Sequence, residues 1–177
     1  IFGVLDRLRQ ETGLTILVAE HKLGYLRPFR PRLVRMAQGM IVEDRASIPS
    51  PGALARPRPN AGGEVLVEAR ALTFCHGERA ILRDLDLDLR AGQLVALMGD
   101  NGSGKTTLLR CLMGLLRPAS GSVRLAGQTV GMTPVSDLAR QAGFLFQNPD
   151  HQLLAATVQE EALLLGRNLG AVDEVAP

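Results

Sequence analysis

Leu94-Val95-Ala96-Leu97-Met98-Gly99-Asp100-Asn101-Gly102-Ser103-Gly104-Lys105-Thr106-Thr107 sets the frame for the whole chain. Five apolar residues without a polar break have the pattern of a buried strand. Gly99 to Thr106 then match G-x-x-x-x-G-K-[ST]. Beyond the match, Leu108, Leu109, Cys111, Leu112, Leu115 and Leu116 recur at helical spacing as one apolar face. The order is strand, glycine-rich turn, helix, the setting in which this motif binds phosphate. Glycines let the backbone curl until its N–H groups converge on an anion, and the helix start adds partial positive charge at the same place. Gly99, Asn101, Gly102, Ser103 and Gly104 are therefore expected to line a phosphate site. Lys105 should reach the β- and γ-phosphates and Thr107 the α-phosphate, while the Thr106 hydroxyl should go to Mg²⁺, which takes most of its other ligands from phosphate and water. The chain holds two lysines among 18 arginines, and one of the two stands at the motif position. An ordinary glycine turn has no use for that placement.

Working outward, Val65 to Glu68 and Leu82 to Leu89 alternate apolar and polar residues as half-buried antiparallel strands do, with Asp84, Asp86 and Asp88 on the outer face. Ser47 to Gly63 carries Pro49, Pro51, Pro57 and Pro59 with three glycines, the composition of a stiff exposed linker. Before it, Val4, Leu5 and Leu8 predict a helix ending at Thr12-Gly13, and Leu14 to Ala19 a buried strand ending at Glu20-His21. Arg32 to Asp44 has the form of a hairpin turning at Gln38-Gly39. A net charge of +2 does not call for nucleic acid, and Arg27, Arg30, Arg32 and Arg35, interleaved with Pro and apolar residues, are expected to be solvated. Cys75 and Cys111 are too far apart and too isolated for a zinc site or a disulfide framework. No apolar run approaches the roughly 18 residues that span a bilayer, so a membrane role would come through a partner. The non-Met start and the lack of a closing element after Gly170 are expected for a chain cut at both ends.

A bare phosphate loop does not fix the class; the residues around it do. Leu72-Thr73-Phe74-Cys75-His76-Gly77, Leu115-Leu116-Arg117-Pro118 with Ser120-Gly121, and Phe146-Gln147-Asn148-Pro149 together resemble an ABC ATPase domain over about residues 64–170. Gln147 to Leu153 followed by Thr157-Val158 is similar to the energy-coupling factor ATPases, which power uptake of vitamins or transition-metal ions. The resemblance implies an incomplete α/β P-loop NTPase fold with an antiparallel β subdomain, ATP and Mg²⁺ as ligands, and transmembrane transporter subunits as partners. It also implies a peripheral position on the cytoplasmic face of the membrane. Gln147 would sense Mg²⁺ and the attacking water, and His76 would stand where the family has an aromatic residue against adenine. An imidazole offers less stacking area than Tyr.

Thr15-Ile16-Leu17-Val18-Ala19-Glu20-His21 resembles a different part of the same family, the strand and switch histidine near the end of the domain, which would bring His21 to the γ-phosphate. The organisation implied is the tail of one ATPase domain (1–46), a linker (47–63) and the head of a second (64–177). In this class the switch-histidine strand lies beside the phosphate-loop strand, so Leu14 to Ala19 is expected to pair in parallel with Leu94 to Met98. The strand-end carboxylate pair and the glycine-rich signature needed for hydrolysis are not found, so the chain by itself should bind nucleotide without turning it over. A soluble ABC protein of DNA repair or translation, and a non-catalytic nucleotide-binding fragment, are the alternatives. A GTPase would need an Asn-Lys-x-Asp motif, which the chain lacks.

Overall fold

The computed structural model describes residues 2–20, 23–46 and 63–145, and residues 154, 155, 157, 159–161, 163 and 164. The chain divides into two compact units, 1–138 and 139–177. His21, Gln147 and residues 47–62 lie outside the described residues.

The first unit opens with α1 (Phe2–Thr12) and β1 (Ile16–Ala19), followed by two short 3-10 turns (Leu23–Tyr25 and Arg27–Phe29). The hairpin of β2 (Arg32–Ala37) and β3 (Met40–Arg45) comes next, then the long hairpin of β4 (Val65–His76) and β5 (Arg79–Arg90). The phosphate-loop strand is β6 (Leu94–Met98) and its helix α2 (Lys105–Leu112); β7 (Ser120–Leu125), β8 (Gln128–Thr129) and α3 (Val135–Leu138) complete the unit. Two four-stranded sheets result, ordered β1-β6-β2-β3 and β5-β4-β7-β8. In the first, β6 runs parallel to both neighbours, with Ile16 opposite Leu94 and Ala19 opposite Leu97 on one side, and Arg32 opposite Val95 on the other. The expected parallel pairing across the Pro/Gly stretch is thus present. The second sheet is antiparallel throughout.

A strand between two parallel neighbours and covered on both faces has no polar side to show, and all five residues of β6 are buried. One face, Val95 and Leu97 with Val34 and Met36 of β2, packs against Leu72, Leu82, Leu85 and Leu87 of the second sheet and Leu108, Cys111 and Leu112 of α2. The other face, Ala96 and Met98 with Leu33 of β2 and Val18 of β1 alongside, is covered by Leu26 and Phe2. Burial of each such aliphatic side chain contributes roughly 1.5–3 kcal/mol.

The turn between β5 and β6 is clasped from the N-terminal segment. Thr15 Oγ1 donates to the Arg90 carbonyl at 3.1 Å and accepts from the Gly92 N–H at 3.0 Å, while Arg9 Nη1 donates to the Gly92 carbonyl at 3.0 Å. Arg32 Nη1 reaches the Asp88 carbonyl at 2.6 Å while its Nε and Nη2 hold both oxygens of Asp44 at 2.9 and 2.6 Å. Four sequence expectations change here. Arg32 is a half-buried staple and not a solvated cation; its neighbours Arg27, Arg30 and Arg35 are exposed. Helix α1 turns Phe2, Leu5, Asp6 and Arg9 inward and leaves Val4 63% exposed, with Arg9 paired with Asp6 at 2.7 Å and bonded to the Gly92 carbonyl. Helix α2 ends at Leu112, where the Gly114 and Leu115 N–H groups bond back to the Cys111 and Arg110 carbonyls, so Leu115 lies past the helix and is exposed. Edge strand β1 is half-buried where a buried strand was expected.

In the second unit, Thr157 Oγ1 accepts from the Glu160 N–H at 3.2 Å while Glu160 Oε2 accepts from the Thr157 N–H at 3.1 Å, a reciprocal helix-start box. Glu161 Oε2 accepts the N–H groups of Leu154 and Ala155.

Candidate nucleotide site

The loop 99–104 leaves the C-terminal end of β6 and turns directly into α2. Its shape depends on glycine. At Gly104 (φ 102°) an added Cβ would stand 2.9 Å from the Leu82 side chain, and at Gly99 (φ 150°) it would collide with the Met36 carbonyl and Ser103 Oγ. The backbone therefore approaches β2 and β5 more closely than any side chain permits. Asn101, Gly102 and Thr106 are exposed, and Lys105 and Thr107 are half-buried.

Two features fit a polyphosphate. Ser103 is only 5% exposed, yet its Oγ has no hydrogen-bond partner among the described residues; a buried hydroxyl left unpaired is costly and ready to receive or give a bond. Lys105 Nζ donates to the carbonyls of Gly99 and Asp100 at 2.7 and 2.9 Å, folding the ammonium back over the loop it would share with an anion. The N–H groups at the start of α2 have no acceptor within the helix. Together they form a positive, donor-rich cradle.

The β2–β3 turn and β5 form its wall. The Gly39 N–H donates to the Ser103 carbonyl at 3.2 Å, and the Arg83 N–H to the Gly39 carbonyl at 3.0 Å. The sequence showed Gln38-Gly39 only as a hairpin turn; nothing in its local pattern tied it to the loop. His76 is exposed at the end of β4, opposite Arg79, in the hairpin whose Ile81 and Leu82 adjoin Gly104. Strand β1 delivers the chain to Glu20, whose N–H bonds the Leu97 carbonyl at 3.1 Å, level with the end of the phosphate-loop strand. Among the described residues no cluster of His, Cys, Asp or Glu is arranged to hold a metal by itself, and no helix is long and apolar enough to cross a membrane.

The chain belongs to the ABC transporter family, whose profile matches residues 82–176, more than half of its length. A provisionally named ABC transporter ATP-binding protein of Methanosarcina mazei is 35% identical over 96% of this chain and 36% of its own length. A provisionally named HMP/thiamine import ATP-binding protein of Bacillus subtilis is 39% identical over 71% of this chain and 23% of its own. An energy-coupling factor transporter ATP-binding protein of Lacticaseibacillus paracasei is 38% identical over 62% of this chain and 39% of its own. The chain thus spans about a third of the length of such relatives. The P-loop NTPase fold and ATP binding accord with family membership, as does the antiparallel subdomain formed by β5-β4-β7-β8.

Proposed function

We propose that this chain is part of an ATP-binding subunit that couples ATP binding and hydrolysis to uptake of a vitamin or transition-metal ion, in the manner of the energy-coupling factor transporters. ATP binding is supported by the cradle, a glycine loop closed against β2 and β5 with an unpaired buried Ser103 hydroxyl and the Lys105 ammonium at one helix start; the transport role is supported by the likeness to the import and energy-coupling factor ATP-binding proteins. In this proposal Thr106 offers its hydroxyl to Mg²⁺, which when bound neutralises phosphate charge. In the same reading His76 serves the adenine side, Gln147 the ion and the attacking water, and His21 the γ-phosphate. The whole protein would sit at the inner face of the membrane against transmembrane subunits, with a second ATPase domain. A tandem arrangement is favoured because the Methanosarcina mazei relative aligns across 96% of the chain, on both sides of the Pro/Gly stretch, within a longer protein. The chain alone is proposed to bind ATP without turnover.

Calorimetric titration with ATP and Mg²⁺, with phosphate release assayed in the same samples, tests this. Binding by the wild type, its loss in Lys105→Ala with an unchanged circular dichroism spectrum, and no phosphate release are expected. A well-folded wild type that does not bind ATP would overturn the proposal. Sustained turnover would overturn the claim that the catalytic groups lie elsewhere.

A further inference from the structure

We propose that Gly39, which precedes the Pro/Gly stretch in sequence, is a positioning residue for the phosphate loop that follows it. The turn residue is buried, and its N–H is the donor to the Ser103 carbonyl. Ser103 is the loop residue that carries the orphaned hydroxyl. Through its own carbonyl, Gly39 is held by the Arg83 N–H of β5, so the turn is fixed from one side and fixes the loop on the other. No larger residue fits: φ is +81°, and an added Cβ would fall on the Ile81 carbonyl. The same hairpin brings the Met36 carbonyl against Gly99 and the Met36 methyl toward Gly104. One strand-turn thus braces the loop at its first glycine, at its buried serine and at its last glycine. A loop that must present several N–H groups at once loses binding when its backbone wanders by a fraction of an ångström. The consequence is that the N-terminal segment, which touches no phosphate through this turn, sets the affinity of a site built from later sequence.

The inference rests on the ATP-binding proposal, and its test separates the two. Backbone hydrogen exchange on the ligand-free chain reads loop order without nucleotide. In Gly39→Ala the Ser103 amide, bonded to the Asp100 carbonyl at 3.1 Å, should exchange roughly tenfold faster, about the loss of one net hydrogen bond, while the amides of β4 and β5 near Leu72 and Leu85 keep their protection. The same variant should weaken MgATP binding by about tenfold or more. Gly127→Ala is the control, since Gly127 has φ +78° with nothing within 4 Å of an added Cβ; it carries the backbone strain without the brace and should bind as the wild type does. Should Gly39→Ala not fold, the wild type still decides, because MgATP should increase protection at the Gly39 amide and leave the Gly77 and Gly127 turns unchanged. Equal effects of the two alanine variants, or a Gly39 amide indifferent to bound nucleotide, would overturn the inference. Loop exchange that responds to Gly39→Ala in a chain that never binds ATP would instead count against the ATP-binding proposal alone.

Discussion

Thr15→Val removes one oxygen and tests whether the N-terminal segment is docked on the rest of the fold. The hydroxyl stands between Arg90 and Gly92, 77 positions from the latter, donating to one backbone group and accepting from the other. Valine fills the same volume but gives up both bonds, leaving the partly buried Arg90 carbonyl with the longer 3.3 Å bond from the Gln93 N–H. At about 1 kcal/mol net for each hydrogen bond, the loss is about 2 kcal/mol. For a chain of this size that lowers the melting midpoint by about 4–8 °C. The chain has no tryptophan and one tyrosine, so urea and thermal unfolding are best followed by far-ultraviolet circular dichroism. Thr12→Val is the matched control: its hydroxyl bonds only the Leu8 carbonyl within the exposed end of α1, and the change should stay within about 0.5 kcal/mol. A Thr15→Val protein as stable as the wild type would mean that the two segments do not share a core.

Leu97→Ala empties a fully buried position in the central strand β6 of the first sheet and should cost about 2–5 kcal/mol in urea unfolding. Gly104→Ala, forced into a left-handed conformation against Leu82, should lose MgATP binding in calorimetry along with about 1–3 kcal/mol of stability. Burial pushes the Cys111 thiol up to about 11, so a thiol reagent at pH 8 should label partly exposed Cys75 in the native protein and both cysteines only in urea. The unfolded thiol ionises near 9.0 and the folded one near 11; the associated stability is complete below pH 9 and falls as pH rises through 11. A Cys111→Ser variant should lack that part of the slope.

The sequence is most informative where chemistry and periodicity coincide. The apolar run 94–98, the glycine motif and the alternating leucines of 85–89 report their environment directly, since a strand buried on both faces and one buried on a single face need different patterns. The parallel partnership of β1 and β6 was legible only through family resemblance, because hydrophobicity marks a strand and not its neighbour. Residues whose role depends on distant backbone were not legible: Arg32 among arginines that are solvated, Thr15 beside a turn far along the chain, and Gly39 in a hairpin turn like many others. In α1 the spacing was right and the face only partly so: Leu5 is half-buried while Val4 and Leu8 are exposed, and Arg9 on the inner side bonds the Gly92 carbonyl.

The order of strands in the first sheet also has a temporal meaning. Strands β1 and β2 never touch each other as partners; each pairs with β6, which enters between them. During synthesis both flanking strands leave the ribosome well before their common centre strand, with the whole β4–β5 hairpin made in the interval. For this chain, joining both to Leu94–Met98 requires contacts of long sequence range, the kind that slow folding. Refolding of this chain from urea should therefore pass through a state in which the β2–β3 and β4–β5 hairpins exist while the sheet carrying the phosphate loop has not yet formed.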